Sequence, residues 1–357
     1  MKKIMYAFIV ILLIGCTAQT TDYKKTKEEK MEILKTIGIE KLSKNNPERC
    51  SGFYKDNYYL VSRKDKNFLI NFFDLEGKKK KEVELKYGKK KNELLYNWRV
   101  KIYNDKIYFY DSPQNKIAVF NMNGKHLKNI SLKNFSEYFT DFVVINDVVY
   151  LQGVFKYRLV HLNEKNEIEK GLKYDEKLTG EEYMQEQTRG GVLLADEGKI
   201  YQGLIKQPFR IKKFDRNFNQ LNTIKKELNQ EYEDCKITKD GRLEGDLMVQ
   251  TMASDENYLY VPFGKSIHYA EEGLKKGKAD NSLFIFNKKS GKLEHEIWNK
   301  KLKKSATGYD ILGVTKKYII LLKAYHLDAL DEAVENPEEK EGWIILLDNP
   351  MYAAQKK

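Results

Sequence analysis

Short apolar and aromatic runs alternate with tight polar turns along most of the chain. Within residues 103–125, YNDKIYFYDSPQNKIAVFNMNGK, the runs Ile107-Tyr108-Phe109 and Ile117-Ala118-Val119-Phe120 flank a polar turn, and Asn123-Gly124 makes a second turn. Runs of this length, rich in Tyr, Phe, Ile and Val and bounded by Asn, Asp and Gly, predict β-strands joined in hairpins. The turn-then-strand unit recurs at Asp56-Asn57-Tyr58-Tyr59-Leu60, Asp105-Lys106-Ile107-Tyr108-Phe109, Asp147-Val148-Val149-Tyr150-Leu151, Glu197-Gly198-Lys199-Ile200-Tyr201, Glu256-Asn257-Tyr258-Leu259-Tyr260 and Lys316-Lys317-Tyr318-Ile319-Ile320. These six copies stand about 40 to 60 residues apart. A weaker strand precedes each, such as Phe142-Val143-Val144-Ile145 or Val192-Leu193-Leu194. A third strand follows, ending in an apolar residue and Asp or Asn: Phe73-Asp74, Phe120-Asn121, Leu162-Asn163, Phe214-Asp215, Phe286-Asn287 and Leu347-Asp348. A turn comes next, often with Gly (Gly77, Gly124, Gly291), and then a more polar fourth strand, such as Lys81–Leu85 or His126–Ile130.

Four strands per unit and six units predict an all-β chain: a six-bladed β-propeller of four-stranded antiparallel blades. Over about residues 35 to 350 the pattern resembles the six-bladed propellers of exported bacterial lipoproteins, broadly similar to NHL-type propellers. A two-layer sandwich would use similar strands, but six long repeats with matched ends favour the propeller. The last unit has strands near 309–315, 317–324 and 343–348 and then ends at 357 without an obvious fourth. An open edge there would invite pairing with other chains. Ile33–Ile39 precedes the first blade and is apolar enough to fill the gap, which predicts a ring closed by an N-terminal strand. The same stretch also fits a short amphipathic helix from about Glu28 to Leu42. The propeller is expected to span residues 31–357.

The N-terminus, MKKIMYAFIVILLIGC, places two Lys before an apolar run of about a dozen residues and a small residue, the layout of a secretory signal. Spanning a bilayer takes roughly 20 such residues. Leu13-Ile14-Gly15-Cys16 resembles the bacterial lipobox, which implies a signal peptide over 1–15, cleavage between Gly15 and Cys16, and lipid on Cys16. The polar stretch TAQTTDYKKTKEEK then makes residues 16–30 a lipidated tether. The expected location is the cell envelope, with the lipid bilayer held through acylated Cys16.

Hydrophobic residues make up 41% of the 357 and aromatics 12%, a composition that excludes a disordered chain. The formal net charge is +12, or +10 without Lys2 and Lys3. Only eight of the 64 basic residues are Arg, and the Lys alternate with Glu, as in Lys24-Lys25-Thr26-Lys27-Glu28-Glu29-Lys30. Base and phosphate recognition favours the Arg fork, so no nucleic-acid partner is expected and the Lys read as solvated strand faces.

The long connections, about 171–189, 228–248, 264–281 and 324–342, all fall on the face where inner strands begin. By register the mouth of that funnel should carry residues near Cys50, Arg99, Asp141, Arg189, Thr251 and Asp310, with Trp98 and Tyr309 beside them. Mixed charge with aromatics suits a polar ligand such as a sugar or peptide, although such groups also satisfy one another or water. His268 and His326 sit on two inserted loops of neighbouring blades and could converge. No H-E-x-x-H, G-x-S-x-G, phosphate-binding glycine loop or EF-hand loop occurs. Neither a cofactor nor a metal is therefore expected. The favoured function is non-catalytic binding of a polar ligand or protein partner at the funnel. The alternatives are a hydrolase or lyase acting on a glycan or lactone, and a structural role in an envelope assembly. Cys50 and Cys235 fall almost across the ring from each other, which argues against a disulfide.

Overall fold

The computed structural model describes residues 29–30, 33–39, 50–96, 99–133, 139–153, 157–173, 191–228, 232–237, 243–270, 273–275, 281–298, 308–324 and 342–353. Six four-stranded antiparallel sheets stand in a ring, with inner strands of neighbouring blades in contact. Blade 2 shows the plan: Arg99–Tyr103 innermost, then Lys106–Asp111, Lys116–Asn121 and His126–Ser131 at the rim. The inner strands of blades 1 and 3 to 6 are Ser51–Tyr54, Asp141–Ile145, Val192–Asp196, Ala253–Ser254 and Asp310–Val314. Among the described residues helix is confined to single turns, and no helix is long and apolar enough to cross a membrane.

Two local devices repeat because the sequence repeats them. The turn from inner to second strand puts two residues in the left-handed region: Lys55 and Asp56 (φ 46° and 61°), Asn104 and Asp105 (47° and 55°), Asn146 and Asp147 (51° and 63°), Glu197 and Gly198 (46° and 71°). Positive φ at both positions matches the twist of the flanking strands, and Asn, Asp and Gly tolerate it best. In blades 1 to 5 the Asp or Asn closing the third strand folds its side chain over the next turn. Asn121 Oδ1 accepts from the Asn123 and Lys125 amides at 3.0 Å each. Asp74, Asn163 and Asp215 accept from the residues two and four places on in the same way.

Both faces of every blade are covered by a neighbour, so the strands carry unbroken apolar runs such as Ile319-Ile320-Leu321-Leu322. The core divides accordingly into six clusters, one at each blade-to-blade interface. Hydroxyls lock adjacent blades at the turn level. The amide of Asp105 donates to Tyr54 Oη at 2.8 Å, and that of Asn146 donates to Tyr103 Oη at 2.9 Å.

Ile33–Ile39 pairs antiparallel with Gly342–Asp348 as the outer strand of blade 6. The N-terminal strand thus closes the ring, and residues 33–39 are not helical. Blade 6 ends differently from the rest. Asn349 Oδ1 accepts from the Met351 amide at 3.2 Å and its Nδ2 donates to the Thr315 carbonyl at 2.8 Å, which leads into the single helical turn Pro350–Ala353. Inner strands of blades 6 and 1 approach so closely that a Cβ on Gly313 would lie 2.3 Å from Phe53 Cβ.

Two features go beyond the repeat. Glu29–Lys30, at the end of the expected tether, runs parallel to Ile297-Trp298 and adds a fifth strand to blade 5. The blade 4–5 connection and the blade 5 insertion, expected as separate loops, build one small antiparallel sheet from Lys236–Ile237, Leu243–Asp246, Ser266–Ala270 and Gly273–Lys275. Asp246 is its buried pin: its carboxylate accepts from Ser266 Oγ at 2.6 Å and the Glu233 amide at 2.8 Å. Cys50 and Cys235 are both buried and no disulfide joins them. Burial pushes the Cys235 thiol up to about 12, so it stays protonated.

Candidate functional site

The inner strands surround a central cavity of about 280 Å³ to which all six blades contribute. Its wall is largely aliphatic, formed by side chains such as Val100, Ile102, Val144, Leu193, Met252 and Leu312. Arg99 and Lys101 line the same space. They lie two apart on one strand and therefore share a face, the one turned toward blade 3.

Asp141, the first residue of the blade 3 inner strand, receives them. Arg99 Nη1 lies 2.8 Å from Asp141 Oδ1, and Lys101 Nζ lies 3.4 Å from the same oxygen. That carboxylate is fully buried and also accepts from two amides, Phe142 through Oδ1 and Leu193 through Oδ2, each at 2.7 Å. Lys101 Nζ donates to the Leu193 carbonyl at 3.2 Å, so the group spans blades 2, 3 and 4. Burial pulls the Lys101 pKa below its ordinary value, the adjacent Arg99 charge adds to that, and Asp141 opposes both.

A second pair sits where blade 6 meets the accessory sheet. Lys265 Nζ lies 3.2 Å from Asp310 Oδ2, with both side chains more than nine-tenths buried. Thr251 lines the cavity, and its Oγ1 accepts from the Ile311 amide at 3.0 Å, tying blade 5 to blade 6.

Of the residues expected at the mouth, Arg99, Asp141, Thr251 and Asp310 lie at or beside the starts of inner strands. Tyr309, next to Asp310 at the start of the blade 6 inner strand, packs into the core between blades 5 and 6. Trp98, Arg189 and His326 lie outside the described residues, as does the side chain of His268, whose backbone belongs to the accessory strand Ser266–Ala270. Sequence reasoning missed Lys101 and Lys265. Lys101 was within reach, because period two along the strand puts it on the Arg99 face. Lys265 meets Asp310 only through the packing of the inserted sheet. Among the described residues no group of three or more His, Cys, Asp or Glu could hold a metal ion.

No family model matches the sequence, and no curated protein does. Solved structures do resemble the fold. A member of the DUF4221 family from Bacteroides vulgatus shares 11% identity over 91% of this chain and 98% of its own, with a TM-score of 0.57. A proposed exported protein from Bacteroides fragilis shares 10% identity over 91% and 96%, with a TM-score of 0.56. Virginiamycin B lyase from Staphylococcus aureus, solved with quinupristin, aligns more loosely, at 12% identity over 88% and 99% with a TM-score of 0.45. At these identities the likeness is one of fold: the chain is built as a six-bladed β-propeller.

Proposed function

We propose that the protein is an exported lipoprotein, related to NHL-type propellers, held in the cell envelope by acylated Cys16. Its propeller binds a polar ligand or a protein partner at the funnel face and leaves it chemically unchanged. The observation that carries this reading is the central cavity. All six blades line it, and its charged groups are held in place by one another and by backbone amides. Groups so engaged present a preorganised surface, which favours binding. The Asp141 oxygens already accept from four donors, so its carboxylate serves to hold the neighbouring cations in place.

The anchor is tested by expressing the full chain in a bacterium fed labelled palmitate. Label and membrane association are expected for the native chain and neither for Cys16→Ser; a labelled Cys16→Ser chain overturns the assignment. Binding is tested by incubating the lipidated protein with glycan, peptide and lactone libraries and weighing what it retains. A retained compound of unaltered mass is expected. Accumulation of a cleaved or rearranged product would move the assignment to the alternative, a hydrolase or lyase acting on a glycan or lactone.

A further inference from the structure

The charges that face the central cavity do not cancel. Among the described residues, two cations that line the cavity, Arg99 and Lys101, share one carboxylate, Asp141, which leaves an excess of one positive charge beside it. Asp141 is saturated, with donors on both oxygens. Lys101 is not. The Arg99 side chain is 9% exposed at the cavity, but its Nε–H is buried away from it, so the open donor is on Lys101. The Lys101 ammonium has three N–H groups and finds the Asp141 carboxylate and the Leu193 carbonyl. Its side chain is 28% exposed although the ring surrounds it, and the surface it exposes borders the cavity. A charged acceptor placed beside Lys101 would take its spare N–H in a charge-assisted hydrogen bond.

Aliphatic side chains such as Ile102, Leu193 and Leu312 make up much of the remaining wall, beside Tyr59, Tyr103, Ser51 and Thr251, and that apolar part suits a hydrocarbon body. Size bounds the guest. A cavity of about 150 Å³ holds benzene, so one near 280 Å³ takes roughly eleven heavy atoms.

We propose that the channel holds a small organic anion, its carboxylate against Lys101 beside the Arg99 charge and its hydrocarbon body against the aliphatic part of the wall. This inference deepens the binding role proposed above and rests on it.

The test uses the full lipidated chain in nanodiscs and titrates straight-chain alkanoates from propionate to octanoate beside the amides of the same length. Affinity for the acids is expected to rise about fourfold per added methylene. Each acid should bind about tenfold or more tighter than its amide. Lys101→Met should abolish the preference for acid over amide. Lys55→Met, the same charge change at an exposed site, should leave it intact. Equal binding of acid and amide, a preference that survives Lys101→Met, or tighter binding of chloride and phosphate than of octanoate would each overturn the proposal. If Lys101→Met fails to fold, the acid-to-amide ratio of the native chain decides alone. If alkanoates fail while another library compound is retained unaltered, this inference falls and the binding role stands. If nothing is retained, both fall.

Discussion

Asp141 shows how much one side chain can organise. It is the common acceptor for Arg99, Lys101 and two amides, and it joins three blades next to the channel. Removing one partner of a buried charge group costs far more than the group contributes, because the remaining charges stay desolvated. Asp141→Ala is therefore expected to lower stability by about 3–5 kcal/mol in denaturant unfolding. Adding Arg99→Met should restore part of that loss; a double variant no better than the single would show that the cation was not the cause. The register of the repeats named both Arg99 and Asp141, because each opens an inner strand. Their pairing was not legible, since it is made between blades, across residues 42 positions apart.

At the scale of elements, the turns and the latch carry the fold. Asn121→Ala removes the acceptor of two amides. It should cost about 1 kcal/mol, read as a shift in denaturant midpoint without a change in slope. The latch is tested by Ile37→Ala. Ile37 is half-buried on the closing strand and packs into the cluster between blades 6 and 1. A loss of about 1–2 kcal/mol is expected, below the range for a fully buried site because Ile37 keeps some exposure. Gly313→Ala probes the same seam from inside. Its methyl group would collide with Phe53, and about 1–3 kcal/mol should be lost; an unchanged melting temperature would show that the seam can open without penalty. That Ile33–Ile39 is a strand and not a helix was undecided by its own pattern. The free edge of Gly342–Asp348 decided it, because an apolar segment that can fill an open ladder satisfies both its side chains and its backbone.

At the scale of the whole molecule, the core lies in six seams between blades, and tyrosines fill many of them. Burial pushes the phenols of Tyr58, Tyr59, Tyr108, Tyr201 and Tyr260 well above their ordinary value. In the unfolded chain the same groups ionise near pH 10. Above that pH the unfolded state binds fewer protons than the folded one, so stability is present below about pH 10 and lost as pH rises. Each tyrosine contributes a slope of about 1.4 kcal/mol per pH unit. Urea midpoints are expected to hold between pH 8 and 9.5 and fall steeply from 10 to 12. A flat profile through pH 12 would mean that these rings ionise freely in the folded protein.

What the sequence by itself determined is the local grammar: short apolar and aromatic strands, tight turns at Asn, Asp and Gly, the Asp or Asn that closes the third strands, and six repeats of the unit. Those are near-neighbour effects, written within a few residues. Tertiary structure alone decided which charges meet, that two separate insertions form one sheet, that Tyr309 packs into the core between blades 5 and 6, and that Lys265 pairs with Asp310. Each of these depends on residues brought together by closing the ring, and a chain read in order contains no signal for contacts that exist only after closure.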